Sequence, residues 1–300
     1  MLWLLTITLS YLFFAVSSLG DKIVLSGPAK PKSYTFFVGI FSILVIFLIP
    51  LPFVNFVIPS GIVWGWIILE AFIYVIGLYA LFYSLENFEV SKIIPTIGAT
   101  QPIFIAILSF IFWGSLSLSG KEVLAFIVLL LGSIIISIDK NPKITRRSLE
   151  IGLLTSLFFS LDFIFTKFVF NYLSFWPGFI WMRIFSFIFV LFFLLDRGFR
   201  KEMAEGGRTS KKTGALFIFT QAAGGAANIL QSLSISLVPV AYLAIMNSMK
   251  GLQYVFLFIM VAFVSYFMPN VLKEEMSKKI VLQKIISILV IGIGLVILVV

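Results

Sequence analysis

The sequence predicts an all-α integral membrane protein, with ten transmembrane helices arranged as two inverted five-helix repeats. Three observations carry that reading. Of 300 residues, 61% are hydrophobic and only 12% charged, with a mean hydropathy of +1.14; soluble domains run at about 45–50% apolar and about 25% charged. The apolar residues fall in runs close to the roughly 20 that a helix needs to cross a bilayer. The basic residues fill alternate gaps between those runs, as the positive-inside rule requires.

Taken in order, the first span is 2–21. It lacks a basic n-region and an A-x-A site, so it reads as a membrane helix and not as a cleaved signal. Gly27-Pro28 separates it from the second span, 34–51, which runs into Pro50–Pro52. Spans three to five are 61–84, 90–113 and 122–138, and Asn141-Pro142 closes the first half. The sixth span is 150–171, and Trp176-Pro177 opens the seventh, 176–195. A basic linker, RGFRKEMAEGGRTSKK, leads to the eighth, 213–236. The ninth is 239–267, Pro269-Asn270 marks the next turn, and the tenth is 279–299. The expected organisation is a first repeat over 1–138, a basic connection over 139–149 and a second repeat over 150–300.

The charge sorting supports this count. Eighteen basic residues lie in the gaps after odd-numbered spans, and Lys121 is alone in the even ones. Lys167, Arg183 and Lys250 lie inside spans, which accounts for all 22. The odd loops are therefore expected in the cytoplasm, with both termini outside the cytoplasmic membrane. The charge of +9 is thus a topology signal, and nucleic acid is not an expected partner. With no Cys and no His, disulfides, thiolate chemistry, the usual zinc sites and histidine acid–base work are excluded. No G-x-x-x-x-G-K-[ST] occurs, so ATP is not the expected driver, and no cofactor is expected.

Self-similarity between the halves is short but regular. Leu12-Phe13-Phe14 precedes Lys22 at the same offsets at which Leu157-Phe158-Phe159 precedes Lys167. Gly77 and Ser84-Leu85 match Gly225 and Ser232-Leu233 at one constant shift. Five spans per half is an odd number, so the second half enters the membrane inverted, and such repeats place a binding site near the midplane. These features, with a lysine closing the first helix of each half and SYFMPNVLKEEMSKK before the glycine-rich KIISILVIGIGLVILVV, resemble the EamA-type drug/metabolite transporter superfamily. Glu274 matches the family's glutamate turn, whereas the first half has Ser115 within WGSLSLSG. The resemblance implies a transporter fold, in a family of metabolite, amino-acid and drug exporters with relatives carrying nucleotide sugars or sugar phosphates.

Polar residues inside the spans are the candidate site. A central lysine costs about 2.5–3.5 kcal/mol on insertion scales, so Lys250 should face a cavity or a partner. Leu243, Asn247, Lys250 and Tyr254 recur every three to four residues and share a stripe. On the preceding span Gln221, Gly224/Gly225, Asn228 and Gln231/Ser232 do the same. Lys250 either lines a substrate path or pairs with Asp162 or Glu70. Those two carboxylates, on spans six and three, are candidates for proton coupling, because withdrawal from water favours the neutral form; the alternative is that they only balance Arg183 or Lys250. Arg183 either grips a carboxylate or phosphate or snorkels from a helix end. Snorkelling is also the expectation for Lys22 and Lys167. Gln101-Pro102 occupies the register of Met249-Lys250. Trp181 and Tyr79 are stacking candidates, shared with interfacial belts.

This set suits a secondary transporter or facilitator that moves a small organic metabolite, an amino-acid-like zwitterion or anion, most simply by export. The partners expected are that small molecule, the lipid bilayer and protons; a homodimer stays open. Within the class, a multidrug or lipid-linked headgroup exporter or flippase is the alternative. An intramembrane enzyme is disfavoured because Ser248 and Lys250, two residues apart, point to different helix faces. A structural membrane subunit is the remaining reading.

Overall fold

Apolar sequence with internal backbone pairing is what a bilayer demands, and every regular element among the described residues is helical. The computed structural model describes residues 2–24, 31–88, 90–114, 118–137, 145–205, 211–267 and 278–299. In chain order the helices are α1 (Leu2–Val24), α2 (Pro31–Phe41), α3 (Val63–Asn87), α4 (Val90–Trp113), α5 (Gly120–Ser137) and α6 (Arg146–Tyr172). They continue as α7 (Phe175–Leu191), α8 (Arg197–Glu205), α9 (Lys211–Leu237), α10 (Leu243–Ser248), α11 (Gly251–Phe267) and α12 (Lys278–Val299). Short 3-10 segments extend α2 (Ser42–Leu48) and α7 (Phe192–Leu195) and lead into α10 (Val240–Tyr242).

Local chemistry sets the ends. Thr145 and Ser148 cap α6 reciprocally, each side chain accepting the other's backbone N–H at 3.2 and 3.1 Å. Ser119 and Glu122 do the same for α5, at 3.4 and 2.7 Å. Gly114, at φ +78°, terminates α4 in the left-handed region that glycine adopts without penalty. Pro177 lies within the first turn of α7, where its missing N–H costs nothing. Gly27-Pro28, Asn141-Pro142, Pro269-Asn270, Ser115 and Glu274 lie outside the described residues, as does the side chain of Lys22.

Among the described residues eight helical segments, counting Val240–Phe267 as one across its break, are long and apolar enough to cross a membrane, and the chain is a multi-pass, all-α membrane protein. Of the ten expected spans, the second forms a shorter apolar helix, Lys32–Leu48. The eighth forms α9, which is 27 residues long but diluted by Gln221, Asn228 and Gln231. The ninth is not one helix. It breaks at Met249-Lys250 into α10 and α11, so the continuous helical stripe expected there is corrected to a stripe interrupted at its lysine.

Packing places α1 against α9 and α11, α3 against α6 and α7, α4 against α6 and α10, and α5 against α12, α10 and α11. Burial centres on the break: Leu243, Ala244, Ile245, Met246, Asn247, Ser248 and Met249 are all buried, packed with Ile7, Tyr11, Leu129 and Ile164. Close backbone approach requires glycine at α5–α12. A Cβ on Gly132 would lie 2.6 Å from Ile291 Cγ1 and 3.1 Å from its backbone N, closer than packed atoms tolerate. Outward-facing Leu124, Leu131, Leu282, Leu289 and Ile293 are exposed, as a lipid-facing surface would be.

Candidate functional site

The break at Met249-Lys250 frees backbone groups deep in the bundle, and each must find a partner where water is scarce. The Lys250 N–H turns to the Asn247 carbonyl at 3.0 Å instead of continuing the α-helical ladder. The Met246 carbonyl, which that N–H would otherwise reach, accepts from the Tyr11 hydroxyl of α1 at 3.0 Å. Ser133 of α5 closes the gap. Its hydroxyl donates to the Ser248 carbonyl at 2.6 Å and accepts the Gly251 N–H at 2.9 Å. Gly251 must lack a side chain, since a Cβ would stand 2.4 Å from Ser133 Oγ and 2.7 Å from Ile291 Cδ1.

Lys250 is half-buried and its Nζ donates to Gln101 Oε1 at 3.2 Å. Gln101 is 2% exposed, and its backbone carbonyl accepts from Ser160 of α6 at 3.2 Å. Among the described residues no carboxylate lies within salt-bridge distance of Lys250, so the pairing with Asp162 or Glu70 weighed from sequence is replaced by an amide contact. Asn247 is 1% exposed, with Oδ1 buried and unpartnered. The Tyr254 hydroxyl rests where a Cβ of Gly98 would come within 2.9 Å, one turn before Gln101 on α4. Lys250, Asn247 and Tyr254 are thus brought together with Gln101 at a discontinuity between α4, α5 and α1.

A second ionisable cluster joins α3, α6 and α7. Arg183 Nη2 donates to Glu70 Oε1 at 2.5 Å, with the two side chains 7% and 0% exposed. Arg183 therefore does not snorkel; it is drawn inward because Glu70, fully buried one helix away, needs its charge. The guanidinium carbon lies 4.0 Å from the centroid of the Tyr74 ring, a cation–π contact. Asp162, on α6 where it packs against α3, lies beside Glu70 and interacts with it and with Arg183 electrostatically. Glu70 Oε2, Asp162 Oδ1 and Arg183 Nε and Nη1 remain buried without partners.

Lys167 does not snorkel either. It is 7% exposed and donates to the carbonyls of Ile235, Ser236 and Val238 at 3.1, 3.3 and 2.6 Å, capping the C-terminal end of α9 with positive charge. The polar stripe of α9 is shared between packing and open groups. Gln221 donates to the Tyr34 hydroxyl at 3.3 Å, and the Ala227 carbonyl accepts from Ser10 at 2.8 Å. A Cβ on Gly224 would press on Ser17, whereas Gly225 meets nothing. Asn228 keeps a buried, unpartnered Oδ1, and Gln231 is half-buried. Trp181 donates to the Val57 carbonyl at 2.9 Å and stacks on Phe56, which ties α7 to the segment before α3. Tyr79 lines an outward-opening apolar groove of about 330 Å³ with Phe72, Phe189 and Phe193. Tyr11 and Ser133 escaped sequence reasoning. Thr6, Ser10 and Ser17 mark a polar face of α1 that turns to α9, and Tyr11 lies off that face; Ser133 sits with Ser137 in an otherwise apolar helix, so neither residue carried a distinguishing signal.

Fold and sites together define a polytopic helical membrane protein with two charged clusters buried between its helices. The chain matches no family model and no curated protein. Twenty-eight chains of solved structures match it. One, described as a crystal structure of a protein, superposes with a TM-score of 0.72 over 98% of this chain and 95% of that one, at 12% sequence identity. The likeness shows a shared fold spanning nearly the whole of both chains.

Proposed function

We propose that the chain is a secondary transporter or facilitator that moves a small carboxylate-bearing metabolite, an amino-acid-like zwitterion or anion, across the cytoplasmic membrane by alternating access. The observation that carries this reading is the ammonium of Lys250 at a helix break inside the bundle, with an amide and, among the described residues, no carboxylate as its partner. Discontinuous helices at mid-depth are where transporters bind substrate, and a cation left without a counter-ion is complementary to a ligand's anionic group. Asn247 and Tyr254 supply the hydrogen bonds that orient such a ligand.

The reading includes ten spans in two inverted five-helix halves. The helix neighbours support it, because pairing each span with the one five later maps α1–α9 onto α6–α3, α1–α11 onto α6–α4, and α5–α12 onto itself. Loops after odd-numbered spans then face the cytoplasm, and the fold belongs with the drug/metabolite carriers it resembles. Catalysis is no part of the reading: Ser248 Oγ is committed to the Ile245 carbonyl at 2.7 Å and does not address Lys250. One observation favours a second reading, transport of amphipathic drugs or lipid-linked headgroups, namely the apolar groove beside Tyr79 that opens outward between α3 and α7.

The test is counterflow in proteoliposomes loaded in turn with amino acids, sugar phosphates, nucleotide sugars or cationic drugs. The expected result is exchange of a carboxylate-bearing solute that Lys250→Ala abolishes. Exchange of greasy cations alone, or exchange indifferent to Lys250→Ala, overturns the reading.

A further inference from the structure

The cluster on α3, α6 and α7 is unbalanced. Glu70 and Asp162 bring two carboxyl groups and Arg183 brings one guanidinium, so the fully ionised set carries a net negative charge where Glu70 is 0% and Arg183 6% exposed. An uncompensated charge in such a place is expensive. Among the described residues the neighbours supply no second cation. The titratable groups facing the cluster are Glu70 and Tyr74 from α3, Asp162 from α6 and Arg183 from α7. Lys167 of α6 is spent on the carbonyls of α9. On α2, Tyr34 pairs with Gln221 and Lys32 with Asp196, and the described side chains of α9 include no ionisable group.

The hydrogen bonds show the same shortfall. Glu70 Oε1 takes Arg183 Nη2, while Glu70 Oε2 and Asp162 Oδ1 are buried acceptors without donors. The two carboxyl groups lie in the packed α3–α6 interface close enough to interact electrostatically, and two carboxylates there would repel. We propose that Glu70 and Asp162 hold one exchangeable proton between them, and that this cluster, separate from the Lys250 site, couples proton movement to transport. The O–H of one carboxyl donates to an oxygen of the other, which neutralises the set. Asp162 is half-buried where Glu70 is fully enclosed, which makes it the member of the pair from which the proton is released. Its departure leaves two carboxylates, and the unused Nε–H and Nη1–H of Arg183 are the donors available to the second. Proton release thus changes which helices Arg183 ties together, and reprotonation restores the present arrangement. The coupling role rests on the carrier reading above; the shared proton does not.

Two measurements on the full-length protein test this separately. Infrared spectra of the protein in nanodiscs at neutral pH should contain a protonated-carboxyl C=O stretch. Asp162→Asn and Glu70→Gln should each remove it, because either leaves one carboxylate neutralised by Arg183. In proteoliposomes, wild-type uptake should change severalfold when a pH gradient is imposed, whereas the rate that remains in either amide variant should be the same with and without the gradient. A wild-type spectrum without the band, or a band surviving both substitutions, overturns the shared proton; a sodium requirement in place of the proton overturns the coupling. Gradient-sensitive uptake in both amide variants overturns the coupling. If no solute shows counterflow in wild-type vesicles the carrier reading falls and the coupling with it, and the infrared result alone then decides the proton site.

Discussion

Two cations lie inside the same helical bundle and are treated in opposite ways. Arg183 is matched: a carboxylate at 2.5 Å and an aromatic face at 4.0 Å account for its charge, and its helix is tied to α3 by the contact. Lys250 is unmatched among the described residues: one amide oxygen of α4 at 3.2 Å is its hydrogen-bond partner, at a break whose backbone groups α1 and α5 help to satisfy. The contrast separates a cation that holds helices together from one that no carboxylate among the described residues answers, the one proposed above to meet a ligand. Position in an apolar span would not separate them; partners do, and burial follows, with Arg183 buried and Lys250 half-buried.

Substitutions probe the contrast in order of expected size. Arg183→Met strands Glu70 and Asp162 in the bundle and should cost about 3–5 kcal/mol, read as a lowered unfolding midpoint in detergent. The double variant Glu70→Gln/Arg183→Met should recover much of that loss, because removing both members of a buried pair is often nearly neutral. An unchanged midpoint for Arg183→Met would erase the distinction between the two cations. The scaffold of the break comes next. Gly251→Ala forces a Cβ onto Ser133 and Ile291, and Ser133→Ala leaves the Ser248 carbonyl and the Gly251 N–H unpaired. Each should cost about 1–3 kcal/mol, with Ser133→Ala also weakening ligand binding because Lys250 is no longer presented at a fixed break. Lys250→Met should leave stability within about 1 kcal/mol of wild type or above it, because an ammonium with a neutral partner repays little of its desolvation.

The smallest effect lies outside the spans. The Lys32 ammonium, with the Gly198 N–H behind it, holds the Asp196 carboxyl below the usual carboxylate range. The folded value is the lower one, so this contribution is present at neutral pH and lost as pH falls through the depressed range. Both groups are well exposed and the effect is correspondingly small. Melting curves of wild type and Asp196→Asn should converge on acidification, and parallel curves would show that the contact contributes nothing.

Much of this architecture was legible in sequence, for identifiable reasons. Apolar run length marked the helices, and Pro, Gly and capping residues marked their ends, because both act locally. Ionisable residues in apolar runs marked Glu70, Asp162, Arg183 and Lys250, since the cost of placing them there demands a purpose. What the sequence withheld was partnership. The sequence offered Arg183 or Lys250 as the counter-charge of Glu70 without choosing, and the structure chooses Arg183, 113 positions away; nothing in the chain's order says that Lys250 meets Gln101, 149 positions away, and both outcomes follow from how helices pack. The break at Lys250 was hidden for the same reason. Its local sequence, Asn-Ser-Met-Lys-Gly, is compatible with a helix, and the Tyr11 and Ser133 hydroxyls that stabilise the interruption come from α1 and α5. Snorkelling was the local guess for Arg183 and Lys167, and in both cases a distant partner outcompeted it.

The most direct measurement is ligand-induced thermal stabilisation of the purified protein and its Lys250→Gln variant, across carboxylate-bearing metabolites and their methyl esters. The account predicts a carboxylate that raises the wild-type melting temperature and has no effect on Lys250→Gln, with its ester inert on both. Equal stabilisation of the two proteins by the acid, or of the wild type by the acid and its ester alike, would contradict it.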